Sequence, residues 1–250
     1  MKTVTNHNAI HQENQVTKRF QDLYNALRET ENRICSDEEL SSLPEVDARH
    51  MYHEEWMIRR SSFERLRKYL AHKKGPLQML EVGCGNGWLS NGLSMISNSM
   101  VTGIDINALE IEQAKRVFKN RDNLSFILGD IRSAGILPSS VDIIIFAASI
   151  QYFSKPDEVL VPAFDLLRPD GEIHIMDTKF YKPAEVVKAK ERSAFYFQSL
   201  GFDEMCQAYF HHDINSLEKY DYRIMYDPNH LFNIILKRKD PFHWIMIKNK

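Results

Sequence analysis

The chain has 250 residues, 43% hydrophobic and 26% charged, with 32 Lys and Arg against 34 Asp and Glu for a formal net charge of −2. That is the composition of a globular protein with room for a sizeable core, and it excludes a global basic field directed at nucleic acid or an anionic membrane. The three cysteines, Cys35, Cys84 and Cys206, are scattered and form no Cys-x-x-Cys. They argue against a disulfide framework or structural zinc and make a reducing cytoplasm the expected location. Met1 to Gln15 is polar, unlike a secretory signal, and no run of about 18 apolar residues is present to span a bilayer.

In chain order, residues 1–14 read as a frayed polar start. Val16, Phe20, Leu23, Tyr24 and Leu27 then recur at helical spacing. A polar loop is expected from Glu29 to Asp47. A second helix, about Glu54 to His72, carries Phe63, Leu66 and Leu70 on one face and ends at Lys73-Lys74-Gly75-Pro76. From Leu77 the period changes. Strands are expected at 78–82, 100–105, 124–130, 141–146 and 172–176, with helical patterns after the first, second, fourth and fifth. Asn107 suits a helix N-cap with Glu110 as its capping-box partner. Pro162 conflicts with the helix after Pro156, so a kink or late start is expected there. Arg168-Pro169-Asp170-Gly171 reads as a turn into the fifth strand. Residues 180–200 read as helix and 203–220 as partly helical. Tyr222–Tyr226 and His243–Lys248 suit a sixth and seventh strand, with a helix at Leu231–Leu236 between them. Alternating strands and helices imply an α/β, doubly wound, Rossmann-like sheet, mostly parallel and seven-stranded.

Ligands of such sheets bind beyond the carboxyl ends of the strands. Gly83, Gly85 and Gly87, the acids Asp105 and Asp130, and Ala147 to Ser149 all fall there. The loop Glu81-Val82-Gly83-Cys84-Gly85-Asn86-Gly87-Trp88 brings its third glycine one residue earlier than the dinucleotide pattern Gly-x-Gly-x-x-Gly. Asp105, 22 positions after Gly83, suits a carboxylate accepting both ribose hydroxyls. Asp130, placed beside an adenine, can accept from its exocyclic amine. Each acid could also be a plain helix N-cap. Cys84 reads as a small filler, and Trp88 either touches the ligand or packs.

Glu81 to Gly87, Gly103-Ile104-Asp105, Gly129-Asp130-Ile131, Val141-Asp142 and Leu167-Arg168-Pro169-Asp170-Gly171-Glu172 together resemble the successive motifs of class I S-adenosylmethionine-dependent methyltransferases. The likeness covers about residues 77–177, with Glu172 standing where the family usually has a second glycine. The resemblance implies S-adenosyl-L-methionine as cofactor, its methionine part beside the glycine loop. It also implies Asp105 on the ribose, Asp130 on the adenine amine, Ile106 and Ile131 on the ring faces, and backbone near Ala147 facing the methionine amine. Residues 1–75 are expected to form an N-terminal helical cap on a core of 76–250.

Family members acting on adenine or glutamine amines carry Asn/Asp-Pro-Pro-aromatic after strand four; here that place reads Phe146-Ala147-Ala148-Ser149-Ile150-Gln151-Tyr152-Phe153. A small-molecule acceptor, methylated on O, N or C, is therefore expected, with no nucleic acid or membrane partner and a monomeric or homodimeric state. Gln151 and Tyr152 occupy a substrate-facing place, although Tyr152 could instead pack under the cap. His211 and His212 lie in 180–220, the segment expected to contribute to the acceptor pocket. Either could be a base, or the two a surface pair. His50-x-x-His53-Glu54 lacks a third ligand, so no metal is expected. Lys237-Arg238-Lys239 reads as a solvated loop. The rival readings are a nicotinamide-dependent oxidoreductase and a non-catalytic cofactor-binding subunit.

Overall fold

The computed structural model describes residues 3–235 and 240–249; Lys237-Arg238-Lys239 lies outside them. Three helices lead: α1 (Thr3–Thr30), α2 (Asp37–Ser42) and α3 (His53–Leu70). The core follows as β1 (Leu77–Val82), α4 (Trp88–Ser94), β2 (Ser99–Asp105), α5 (Ala108–Val117), β3 (Leu124–Leu128), β4 (Val141–Ala147), α6 (Asp157–Leu166) and β5 (Leu167–Met176). It ends with α7 (Pro183–Ser199), β6 (Tyr222–Tyr226), α8 (Leu231–Ile235) and β7 (Trp244–Lys248).

The seven strands form one sheet in the order β3-β2-β1-β4-β5-β7-β6. Pairing is parallel from β3 through β5, and β7 runs antiparallel to both of its neighbours. The chain winds outward from β1 to β2 and β3, then returns to place β4 on the other side of β1. The carboxyl ends of β1 and β4 therefore flank the point where strand order reverses, the place where open α/β sheets leave a crevice for a ligand. Ile143, Ile144, Ile145 and Phe146 of β4 are all buried, as expected of a central strand covered on both faces.

The leading helices are held on the sheet by specific contacts. In α3, Phe63, Leu66 and Leu70 are buried, and Trp56 meets Trp88 edge to face at 5.4 Å. In α1, Leu27 packs into a cluster with Phe197 and Met205, with Phe20, Leu23, Tyr152 and Tyr209 around it. Gln21 Nε2 donates to the Ile106 carbonyl at 2.6 Å, and Asn107 Nδ2 donates to Asn25 Oδ1 at 2.7 Å. Thus α1 is fastened across the carboxyl end of β2.

Four local expectations are corrected. The helix α1 starts at Thr3 rather than near Val16. The expected loop at 29–47 contains α2, whose Ser36 cap accepts from the Glu39 N–H at 3.1 Å. The helix α6 begins at Asp157, directly after Pro156, so its start is not late, and it contains Pro162. The strand β5 begins at Leu167, which pairs with Val141 before the register shifts to Ile143 and Glu172. Arg168 to Gly171 is therefore a bulge inside the strand, with Asp170 at φ 66°. Glu172 is buried and paired to Lys73 at 2.7 Å, with Tyr69 Oη donating to it at 3.0 Å, so its charge is compensated.

Candidate active site

A cavity of about 790 Å³ opens at the strand-order reversal. One wall is the turn from β1 into α4. Gly83 has φ 72°, and a Cβ there would stand 2.4 Å from the Ser149 Cβ; at Gly87, φ 79°, it would stand 2.4 Å from the Phe126 ring. Both positions need glycine, for conformation and for space. Beneath the loop, Asp105 Oδ2 accepts the Gly85 N–H and Oδ1 the Asn107 N–H, each at 2.8 Å. The carboxylate thereby joins the glycine loop to the end of β2. The N-cap of α5 is Asn107, which accepts from the Leu109 N–H at 3.2 Å. Glu110, expected as the capping-box partner, lines the cavity instead, its Oε2 3.2 Å from where a Gly85 Cβ would be.

Carboxylates dominate this wall. Glu81 is buried and accepts from the Ser90 hydroxyl; burial, with Asp105 nearby, pushes its pKa up to about 8. Burial and Asp105 likewise push Glu110 up to about 8, partly opposed by Arg28. Burial also raises Asp105, against its backbone hydrogen bonds. Among the described residues none of these three acids has an ion-pair partner within 4 Å. Cys84 is buried beneath the loop, and burial raises its thiol pKa further from a nucleophilic thiolate. Trp88 does both things allowed for it: it lines the cavity and packs edge to face on Trp56 and Phe63.

Of the other expected residues, Ala147 lines the cavity, whereas Asp105, Ile106, Asp130 and Ile131 stand behind or beside the lining. Both Asp130 oxygens are held by the Arg132 guanidinium at 2.7 Å, so an adenine amine would have to share them. Ile131 is buried in the core cluster that includes Val82 and Ile104, rather than standing open beside β3.

The opposite wall comes from the leading helices and from residues 181–211. Tyr152 lines the cavity within an aromatic group, 5.7 Å from Phe20, 5.8 Å from Tyr24 and 5.7 Å from Tyr209; burial raises its pKa. His211 and His212 are buried, which corrects the surface-pair reading. His212 Nε2 lies 3.0 Å from the Ile150 carbonyl and serves the fold. His211 lines the cavity; its Nε2 meets Ser193 Oγ at 2.8 Å, while among the described residues Nδ1 has no partner. Burial, helped by Lys190 and Arg192, lowers its pKa and keeps the ring neutral. Gln151, expected to face substrate, lines the cavity, with its amide tied to Thr178 Oγ1 at 2.8 Å and the Ala148 carbonyl at 2.6 Å. His50 and His53 are used locally, on Glu39 at 2.9 Å and on the Asp47 carbonyl at 3.1 Å.

A family model described as "Methyltransferase domain" matches residues 73–228, more than half of the chain. This chain belongs to that methyltransferase family. A malonyl-[acyl-carrier protein] O-methyltransferase of Halalkalibacterium halodurans is 28% identical over 131 residues, 49% of this chain and 48% of the relative. A sterol 24-C-methyltransferase of Clavispora lusitaniae is 25% identical over 118 residues, 45% of this chain and 32% of the relative. The chain thus spans half or less of these curated relatives. In fold, geranyl diphosphate C-methyltransferase from Streptomyces coelicolor superposes with a TM-score of 0.57 at 13% identity, covering 81% of both chains. The similarity to the methyltransferase of Haloferax volcanii solved with its Trm112 activator has a TM-score of 0.55 at 14% identity, covering 84% of this chain and 97% of the other.

Sequence reasoning missed Glu110 and Asp177, both on the cavity wall, and Arg28, brought there by α1. Glu110 had a local explanation as a capping residue. The one signal for Asp177 is its place just after β5, at a strand's carboxyl end.

Proposed function

We propose that the chain catalyses S-adenosylmethionine-dependent methylation of a small molecule on O, N or C. The observation that carries this is the cluster of acids, Glu81, Asp105 and Glu110, at the glycine loop, none with an ion-pair partner within 4 Å among the described residues. A cluster of acids without ion-pair partners complements a cation and repels an anion. The methionine amine and sulfonium of S-adenosylmethionine are cationic, whereas the pyrophosphate of a nicotinamide dinucleotide is anionic. When bound, the sulfonium supplies an electrophilic methyl group and leaves as a neutral thioether.

In this reading Gly83, Cys84, Gly85 and Gly87 border the methionine part, with Glu81 and the Ala147 backbone toward its amine and Trp88 at its edge. Asp105 takes the ribose hydroxyls, Asp130 the adenine amine, and Ile106 and Ile131 the ring. The acceptor lies between this wall and residues 180–220, under the helical cap of residues 1–75. Tyr152 bounds it, and the neutral His211 receives a proton through Nδ1 when the acceptor is an O–H or N–H group. The three cysteines are free, in keeping with a cytoplasmic setting, and among the described residues no helix is long and apolar enough to cross a membrane. A monomer or homodimer acting without nucleic acid fits the modest charge. Equilibrium dialysis against labelled S-adenosylmethionine and labelled NAD tests the reading: retention of the first alone is expected, and retention of NAD alone would overturn it. Cofactor retention with no methyl transfer to any pool of cell metabolites would instead favour a non-catalytic subunit.

A further inference from the structure

The residue after β5 has an environment that the cofactor half of the site does not explain. Met176, the last residue of β5, pairs with Ala147, the last residue of β4, and its carbonyl accepts the Ala148 N–H at 3.0 Å. Asp177 therefore stands at the strand ends that face the cavity, and it lines that cavity. Its backbone is left-handed, φ 52°, a conformation costly for most side chains and found where a site holds a residue in place. The side chain is buried, with 7% of the residue exposed, yet among the described residues Oδ1 has no hydrogen-bond partner.

A buried carboxylate oxygen left without a donor is expensive, so native structures ordinarily supply a partner. The neighbouring cation, Arg59, is engaged by Glu55 at 2.9 and 3.1 Å and makes no ion pair with Asp177. The fold thus spends its nearby guanidinium elsewhere, and one oxygen of a residue on the cavity wall is left without a donor. Trp56 and Phe242 line the same cavity, together with the polar Glu55 and Arg59.

We propose that Asp177 binds the methyl acceptor, its Oδ1 accepting a hydrogen bond from an O–H or N–H group, so that the acceptor is a protic molecule rather than a pure hydrocarbon. This rests on the methyltransferase reading and narrows it. A site built to receive a donor rejects the analogue lacking it, because its own acceptor is then left unpaired.

The test uses the full chain saturated with S-adenosylhomocysteine, with phenol and aniline as probes against their near-isostere toluene. Binding is followed by ligand-observed NMR. Wild type should bind phenol and aniline about tenfold or more tightly than toluene. Asp177→Gly removes the carboxylate at a position where glycine adopts φ 52° without strain, and should abolish the preference. Asp177→Asn, also tolerant of left-handed backbone, should retain part of it. Both variants should keep the thermal midpoint and the S-adenosylhomocysteine affinity of wild type. Equal binding of toluene by wild type, or a preference that survives in Asp177→Gly, would overturn the proposal. So would loss of S-adenosylhomocysteine affinity in both folded variants, which would give Asp177 to the donor. If wild type itself fails to bind S-adenosylhomocysteine, the methyltransferase reading falls rather than the assignment of Asp177.

Discussion

Replacing Asp105 with alanine removes one group with two separable duties. Its two oxygens accept the Gly85 and Asn107 N–H groups, each at 2.8 Å. The variant leaves two backbone donors unpaired in a half-buried place. An unsatisfied donor of that kind costs about 1–3 kcal/mol, so unfolding in urea should register a loss of about 2–4 kcal/mol, each bond taken near the low end because burial raises the Asp105 pKa. The second duty is the ribose. Each oxygen keeps a lone pair free, and hydrogen bonds to a charged group contribute about 1.5–3 kcal/mol each. Two of them amount to about 3–6 kcal/mol, or roughly 10²–10⁴ in affinity at 1.4 kcal/mol per tenfold. Calorimetric titration with S-adenosylhomocysteine reads that difference. Loop disorder alone would also weaken binding, so the titration is repeated with the 2′-deoxyribose analogue. Wild type should lose affinity for the analogue, and Asp105→Ala should lose none beyond its own deficit. Affinity within about threefold of wild type, or the same analogue penalty in both proteins, would refute the ribose assignment.

Other consequences follow from the same site. Glu81 and Glu110 have folded pKa values raised to about 8, above their unfolded values. The folded chain then holds more protons, and stability falls as pH rises toward 8. Between pH 7 and 8, above the ordinary range of the histidines, the fall should amount to about 1 kcal/mol for each group, since each reaches half-ionisation at about pH 8. Glu110→Gln should roughly halve the slope in urea unfolding, and an unchanged slope would show that the group does not hold its proton. Saturation with S-adenosylmethionine should flatten the slope, because a bound cation favours the ionised acids. Gly83→Ala forces a Cβ 2.4 Å from that of Ser149 at φ 72°. Chirality and overpacking together should cost about 2–5 kcal/mol, with Ser149→Gly restoring the steric part only; a loss no larger than that of an ordinary surface change would contradict the geometry. Leu27→Ala removes a buried contact with Phe197 and Met205 and should cost about 2–5 kcal/mol. Limited proteolysis should then cut first in residues 15–36, and unaltered protection would show that α1 is not held through this cluster.

What could be read in advance follows the range of the interactions. The βα alternation, the strand ends and the glycine loop are local patterns, and from sequence alone they place Gly83, Asp105 and Ala147 around one crevice. The helix α2 was also local: Ser36 and Glu39 have capping spacing and were passed over because the surrounding stretch is so polar. Glu110 fitted a capping box equally well on paper; Asn107 and Asp105 satisfy those backbone donors between them, which frees Glu110 for the cavity. The burial of His211 depends on contacts with Tyr181 and Tyr209, and the position of Tyr152 depends on Phe20 and Tyr24, more than a hundred residues earlier. No periodicity encodes such pairings. The acceptor wall was therefore the least legible part, assembled from α1, α3 and the segment after β5, whose residues meet only in three dimensions.

The central claim is that the glycine loop holds S-adenosylmethionine, and a crystal structure with S-adenosylhomocysteine tests it most directly. The account predicts the ligand in the cavity at the β1–β4 crevice, its ribose hydroxyls hydrogen-bonded to the Asp105 carboxylate and its amine toward Glu81 and Ala147. Ligand bound at another surface, or in the cavity with its ribose away from Asp105, would contradict it.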